Sequence, residues 1–154
     1  MKKILFLLMA VFLILSTNPV YAGPPNKASG YWTYEITDSE TEIKGGNTFM
    51  TTNDSGVFTG TFEGVETEVG TVVIHSNGNA SFNGTLTFTG EVDGRSGKFT
   101  MSVVGRAVLG EDWTGKWVIL NGTDELANLR GQGIWYGPGG SLEYEGNFHF
   151  EPDK

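Results

Sequence analysis

The chain has 154 residues, 38% of them hydrophobic, and a formal net charge of −8 from 18 acidic and 10 basic side chains. It contains no cysteine, which excludes a disulfide framework and the lipidated cysteine of a bacterial lipoprotein. Because the acidic balance repels phosphate backbones and anionic membrane surfaces, nucleic acid is not an expected partner.

The first 22 residues have the pattern of a cleaved signal peptide. Lys2 and Lys3 precede an apolar run over residues 4–15, and Val20-Tyr21-Ala22 provides a peptidase site. As a helix this run spans roughly 18 Å, which is short of the ~30 Å hydrocarbon core of a bilayer. We therefore expect cleavage after Ala22 and an exported periplasmic or extracellular protein without a membrane anchor. Removal of the two lysines leaves 8 basic and 18 acidic side chains, a net charge of −10.

Residues 23–28 are expected to form a flexible leader, and residues 29–154 a single domain. From Ser29 to Phe150 apolar and polar residues alternate with period two between clusters of Gly, Asn and Asp, which predicts many short strands. Asn77-Gly78 and Asp93-Gly94 favour tight hairpins, and longer turns are expected at 53–56 and 137–140. Strands are expected near 30–37, 47–52, 57–63, 69–75, 80–89, 98–107, 114–120, 133–136 and 142–150.

A weak repeat runs through these strands: FTGTF (58–62), FNGTL (82–86), WTGKW (113–117) and YEGNF (144–148). Because side chains alternate between faces, the aromatic residue, the glycine and the last apolar residue of each repeat point to one face. Glycines in a core-facing row allow strong coiling of the strands. The pattern favours a small closed antiparallel meander barrel of about eight strands over a two-sheet sandwich, which would also alternate.

The segment 124–130 breaks this period. Leu126 and Leu129 are three residues apart and Gly131 follows, which predicts one short helical turn whose leucines plug an end of the barrel.

Three segments, GTDELANLRGQG (122–133), GRSGKF (94–99) and FTGTFEG (58–64), resemble in order and spacing the uncharacterised bacterial domain-of-unknown-function family 3224. The resemblance covers the chain from about Ser29 onward. It implies an eight-stranded meander similar to the allene oxide cyclase-like barrel. The family offers no established catalytic residues, so none is carried over and the catalytic residues are unknown.

The apolar core-facing row is the candidate ligand cavity. An eight-stranded barrel is just wide enough to be filled by its side chains or to hold one small ligand, and both alternatives stay open. Arg130 could gate such a cavity or cap the carbonyls of the preceding turn. The candidate residues are Phe58, Phe62, Phe82, Leu86, Phe99, Met101, Trp113, Trp117, Tyr144, Phe148 and Arg130.

No motif predicts a metal or another cofactor. Neither His75 nor His149 has a second His or Cys within ligand spacing, so no zinc site is expected. Glu143 and Glu145 share a strand face, but their neighbours Leu142 and Tyr144 occupy the core side, so both glutamates are expected in solvent.

Two classes of function follow, and a third stays open. The first is an exported barrel that binds a small apolar or aromatic molecule without catalysis, or that serves as a scaffold. The alternative is a cofactor-free isomerase or cyclase resembling allene oxide cyclase, which a buried polar side chain among the apolar row would favour. The third is a carbohydrate-binding surface of outward aromatics, Trp32, Tyr34 and Trp135. An outward apolar patch of Trp135, or of Val118 and Leu120, could also support a homo-oligomer.

Overall fold

The structure is a computed structural model that describes residues 24–152, so the predicted signal peptide lies outside the described residues. Eight antiparallel strands pair in chain order, and β8 pairs with β1 to close a barrel. Within residues 24–152, no helix is long and apolar enough to cross a membrane. The strands are β1 (Asn26–Lys44), β2 (Asn47–Gly60), β3 (Phe62–Ile74), β4 (Asn79–Val92), β5 (Arg95–Val108), β6 (Trp113–Asp124), β7 (Leu129–Gly137) and β8 (Ser141–Phe150).

The predicted closed antiparallel meander is confirmed. At the β4–β5 hairpin, Asp93 and Gly94 have φ angles of 53° and 74°, which are the left-handed values that a two-residue primed turn requires. The β1–β2 hairpin uses Gly45 and Gly46 in the same way, with φ angles of 60° and 80°. Such short connections leave no room for a crossover, so each strand pairs with its successor.

The structure corrects the predicted boundaries between residues 26 and 74. β1 begins at Asn26, inside the predicted leader, and the predicted turn at 53–56 is extended strand within β2. The chain turns instead at Gly60, whose φ angle is 101°, and at the bend at Thr61. Residues 53–56 have the composition of an exposed turn, but Asp54 is an inward-facing strand residue and only 5% exposed. Its polar side chain therefore does not mark a turn.

Among the described residues, the predicted helical turn at 124–130 is a tight turn that does not extend into a helix, and its predicted packing is confirmed. The structure has a tight turn at 125–128, in which the Leu126 amide donates to the Thr123 carbonyl at 3.0 Å and the Leu129 amide to the Leu126 carbonyl at 3.0 Å. The Ala127 amide also donates to the Asp124 carbonyl at 3.2 Å, so the turn has successive i→i+3 bonds and is then ended by the start of β7. Leu126 and Leu129 are nonetheless fully buried, and they close this end of the barrel.

One half of the barrel interior is filled by aromatic rings. Phe62 stacks on Tyr144 at 5.1 Å between ring centroids, and Phe88 stacks on Phe99 at 4.5 Å. Glycines make room for a further ring, because a Cβ at Gly146 of the repeat, or at its partner Gly133, would collide with Trp117. This half therefore has the filled core that the sequence left as one alternative.

The Tyr144 hydroxyl ties this core to the β2–β3 corner, which leads to a testable prediction. It accepts a hydrogen bond from the Phe62 amide at 2.9 Å and donates one to the Thr59 carbonyl at 3.2 Å. Tyr144→Phe leaves a buried amide unpaired and should lower the free energy of unfolding by about 1–3 kcal/mol in urea titrations. Tyr136→Phe, at an exposed tyrosine that bonds Glu143, is the control and should change it by less than about 0.5 kcal/mol. Equal losses in the two variants would contradict the assignment.

Candidate functional site

The other half of the barrel contains a pocket of about 260 Å³. Aromatic side chains from four different strands form much of its wall, and the loop at Gly139 lies at its edge. Asp54 and Glu68 are the two acidic side chains that face it. The pocket is lined by Trp32, Tyr34, Ile36, Met50, Thr52, Asp54, Glu68, Val72, Ile74, Phe82, Trp113, Trp135, Gly139 and Leu142.

Three neighbouring carboxyl groups are buried in this half of the barrel, and two of them, those of Asp54 and Glu68, line the pocket. Asp54 on β2 lies directly opposite Glu68 on β3, and Glu66 precedes Glu68 on the same inward face. All three residues are 3–5% exposed. Their neighbours Val65 and Val69 point outward and are 56% and 58% exposed, so this part of β3 has its polar face inside and its apolar face outside. Carboxyl groups are rarely buried in this way without a partner.

The partners of these carboxyl groups are incomplete. Trp32 donates its indole N–H to Glu66 Oε1 at 3.1 Å, and the Glu66 and Asp54 side chains hydrogen-bond each other. Asp54 Oδ1, Glu66 Oε2 and Glu68 Oε1 have no hydrogen-bond partner. Among the described residues, no lysine, arginine or histidine lines the pocket. The site therefore has negative character that the protein itself leaves uncompensated.

Burial raises the pKa of each of these groups, to about 6 for Asp54, about 7 for Glu66 and about 9 for Glu68. For Glu68 the nearby Asp54 and Glu66 charges raise it further, whereas for Glu66 the Trp32 hydrogen bond partly opposes the rise. Burial, followed by these same acidic neighbours, also raises the pKa of Tyr34. At neutral pH, Glu68 therefore holds a proton while Asp54 is largely ionised.

Two glycines make space for the carboxyl groups. A Cβ at Gly84 on β4 would overlap Glu68 Oε1, and one at Gly56 on β2 would lie 2.5 Å from Glu66 Oε1. The glycines of the repeat therefore have two roles: they accommodate rings in the filled half and acidic side chains beside the pocket.

A wider depression of about 660 Å³ lies on the outer wall and includes Lys116, Gln132 and Glu145. It is shallow and solvent-exposed, and no buried polar side chain points into it. The end pocket is smaller, but it combines enclosure with unpaired buried groups. We therefore take the end pocket as the candidate site.

Two of the predicted cavity residues, Phe82 and Trp113, line this pocket. Arg130 lies near the leucine turn at the start of β7. It donates to the Leu129 carbonyl at 2.8 Å and pairs with Glu151 at 2.9 Å, so it caps the turn instead of gating the pocket. The other eight predicted residues form the filled core and are at most 3% exposed: Phe58, Phe62, Leu86, Phe99, Met101, Trp117, Tyr144 and Phe148.

The aromatics predicted to lie on the outside are inside. Trp32 and Trp135 are each 3% exposed, and both line the pocket with Tyr34. The expectation of a carbohydrate-binding outer surface at these residues was wrong, because they continue the inward rows of β1 and β7. Trp135 cannot contribute to an outward patch either, whereas Val118 and Leu120 do face outward.

Sequence reasoning did not identify Asp54, Glu66 or Glu68. A signal was present, since Glu66 and Glu68 keep the same parity as Phe62 and Gly64, which begin the inward row of β3. Glu143 and Glu145 lie on the exposed face, as predicted. Within residues 24–152, no group of three or more His, Cys, Asp or Glu side chains is placed to hold a metal ion.

The fold and the site define the chain as a closed antiparallel β-barrel protein with one end plugged and an acid-containing pocket at the other. The family model described as "Protein of unknown function (DUF3224)" matches residues 28–148, and the chain belongs to this family. The membership inferred from the three sequence segments is thus confirmed.

The chain is similar to other solved structures. A protein of unknown function from the same family, from Shewanella oneidensis MR-1, is 22% identical with a TM-score of 0.72 over 84% of this chain and 100% of that chain. The pterocarpan synthase dirigent protein GePTS1 is 13% identical with a TM-score of 0.48, over 93% of this chain and all of its own. No curated protein matches the sequence.

Proposed function

We propose that this protein binds a small apolar or aromatic molecule in the end pocket of its barrel, and that it does so outside the cytoplasm. The observation that carries this proposal is the pocket itself, whose wall combines Trp32, Trp113 and Phe82 with two buried carboxyl groups. Apolar walls with a few placed polar groups are typical of small-molecule sites. The export part of the proposal depends on the signal pattern of residues 1–22.

The size and the walls of the pocket indicate the kind of molecule. At roughly 30 Å³ per water, about 260 Å³ equals the space of some nine waters, so one compact ligand would fill it. Replacing water beside tryptophan and phenylalanine faces with an apolar group is favourable, because it removes those faces from water. Polar contacts to Asp54 or Glu68 would then orient the ligand.

Native mass spectrometry of the protein, purified without denaturant, tests this proposal. We expect a stoichiometric small-molecule adduct, either retained from the cell or acquired from envelope extracts. Val72→Trp should abolish the adduct because a large side chain on the pocket wall fills the space. Val118→Trp, on the outer wall, is the matched control and should retain the adduct.

The proposal would fail if the wild-type protein remained free of adduct after exposure to such extracts. It would also fail if Val72→Trp retained the adduct, because the molecule would then lie elsewhere. A filled scaffold barrel would be the better account in the first case.

One observation favours a second candidate, a cofactor-free isomerase or cyclase. Asp54 and Glu68 face one pocket with pKa values that their surroundings hold apart, at about 6 and about 9. A base and an acid at the same pocket can move a proton within a bound substrate. The captured molecule decides between the two functions. Conversion to an isomer of equal mass but different retention, absent in Glu68→Gln, would indicate the enzyme, and unchanged recovery would indicate binding.

A further inference from the structure

The carboxyl groups of the pocket lack a positive partner. Asp54 Oδ1 and Glu68 Oε1 are buried, belong to side chains that line the pocket, and have no hydrogen-bond partner. The neighbouring Glu66 is also buried, and its Oε2 has no hydrogen-bond partner. Buried carboxyl groups normally have a cation or several donors beside them, because an unpaired one costs free energy. A ligand that supplied positive charge and N–H donors would remove that cost.

The rest of the wall also suits a cation. Trp32, Trp113 and Trp135 present indole rings around the same space, with Tyr34 and Phe82 beside them. The faces of such rings attract ammonium groups, and the attraction is larger in a desolvated site. Since no basic side chain of the described residues lines the pocket, nothing there repels a cation.

We propose that the ligand of this pocket carries a protonated amine, which binds between Asp54 and Glu68 while the apolar part of the molecule packs against the aromatic wall. This inference rests on the proposed function, because it names the chemical class of the ligand for the same pocket. Within residues 24–152 the acidic side chains are not placed to hold a metal ion, so an organic cation fits the carboxyl groups better. An ammonium group supplies up to three N–H donors, which carboxyl groups accept.

Protonation should govern this binding. The titratable groups that line the site are Asp54, Glu68 and the Tyr34 phenol, with Glu66 buried next to them, and the Trp32 indole donates to Glu66 as a neutral group. An ammonium ion stabilises ionised carboxylates, whereas Glu68 of the empty pocket keeps its proton up to about pH 9. Amine binding should therefore release a proton, and amine affinity should rise as the pH rises from 6 to 8.

Isothermal titration calorimetry with three probes of similar shape tests the inference: phenethylamine, 2-phenylethanol and phenylacetate. At pH 8 we expect phenethylamine to bind at least tenfold more tightly than 2-phenylethanol, and phenylacetate to bind most weakly. The amine affinity should be at least tenfold lower at pH 6, whereas the alcohol affinity should not fall. Titrations in phosphate and Tris buffers, which differ in ionisation enthalpy, should report release of a proton with the amine only.

Glu68→Gln provides the decisive variant. It should remove most of the preference for the amine over 2-phenylethanol and should abolish the proton release. Glu145→Gln removes the same charge from the exposed face and should leave all three affinities unchanged.

Each other outcome has a distinct meaning. Binding of 2-phenylethanol without any amine preference would overturn the inference and leave the proposed function standing. An amine preference that survives in Glu68→Gln and in Asp54→Asn would also overturn it, because the amine would lie elsewhere. If none of the probes binds and the native protein carries no adduct, the proposed function itself fails.

Discussion

Glu68→Gln is expected to make the protein more stable than wild type above about pH 5, and this advantage should grow by about 2–3 kcal/mol between pH 7 and pH 9. Burial raises the pKa of Glu68 from 4.5 to about 9, so the folded chain keeps a proton that the unfolded chain has released. Glutamine has nearly the same shape and is always neutral, so it resembles the protonated glutamic acid that the folded barrel prefers. The variant therefore removes the ionisation cost while the side-chain volume is conserved.

The direction and the pH window follow from linkage. A group whose pKa is raised by folding contributes full stability below its unfolded pKa, and this contribution is lost as the pH rises through the folded pKa. The loss is about 1.4 kcal/mol per pH unit for each group. The pKa values of Asp54 and Glu66 are raised only to about 6 and about 7, so their losses end near pH 7. Between pH 7 and 9 the fall in stability belongs mainly to Glu68.

Urea unfolding at several pH values measures this effect. Wild type and Glu68→Gln should both lose stability from pH 5 to 7, and above pH 7 the variant curve should level while the wild-type curve continues to fall. Glu145→Gln removes the same charge from the exposed face and is the control for general charge repulsion in an acidic protein. Its stability curve should follow that of wild type. Parallel wild-type and Glu68→Gln curves above pH 7 would show that Glu68 does not hold a buried proton.

The barrel could be predicted from the sequence because its strands and hairpins are local features. Period-two alternation places Phe82, Gly84 and Leu86 on one face, and Asp93-Gly94 has the composition that a primed turn requires. The leucine plug was also predictable, because Leu126 and Leu129 interrupt the alternation just before a glycine. Closure depends on pairing between β1 and β8, which are far apart in sequence, and the family resemblance supported it.

The acidic pocket could not be predicted by the same reasoning. Asp54 lies in a stretch of typical turn residues. Glu66 and Glu68 share the inward parity of Phe62, but they alternate with valine and threonine, which would also suit the core face. The rule that charged residues face water decides such cases correctly in most proteins, but it fails where a site keeps unpaired acids inside. The interior position of Trp32 was missed for a related reason, since its neighbours Tyr31 and Thr33 gave no polar contrast to fix its face.

The division of the barrel into a filled half and a hollow half leads to the second large expected effect. Phe62→Ala should lower the free energy of unfolding by about 3–5 kcal/mol, because Phe62 is fully buried and its removal leaves a cavity in the filled half. Six aromatic rings have centroids 5.1–6.4 Å from the Phe62 ring: Phe58, Phe88, Phe99, Trp117, Tyr144 and Phe148.

Phe62→Leu serves as a milder variant if the alanine variant does not fold. It leaves a smaller cavity and should therefore lower the free energy of unfolding by less. Thermal unfolding and the capture experiment should be combined on Phe62→Leu and on Trp113→Ala, at a partly buried tryptophan of the pocket wall. Phe62→Leu should lose stability but keep its small-molecule adduct, and Trp113→Ala should lose the adduct with the smaller change in stability. If both variants lost binding in proportion to their stability, the pocket would not be separable from the core. If the binding site is built on a rigid barrel, ligand binding can be lost while the stability of the core is largely kept.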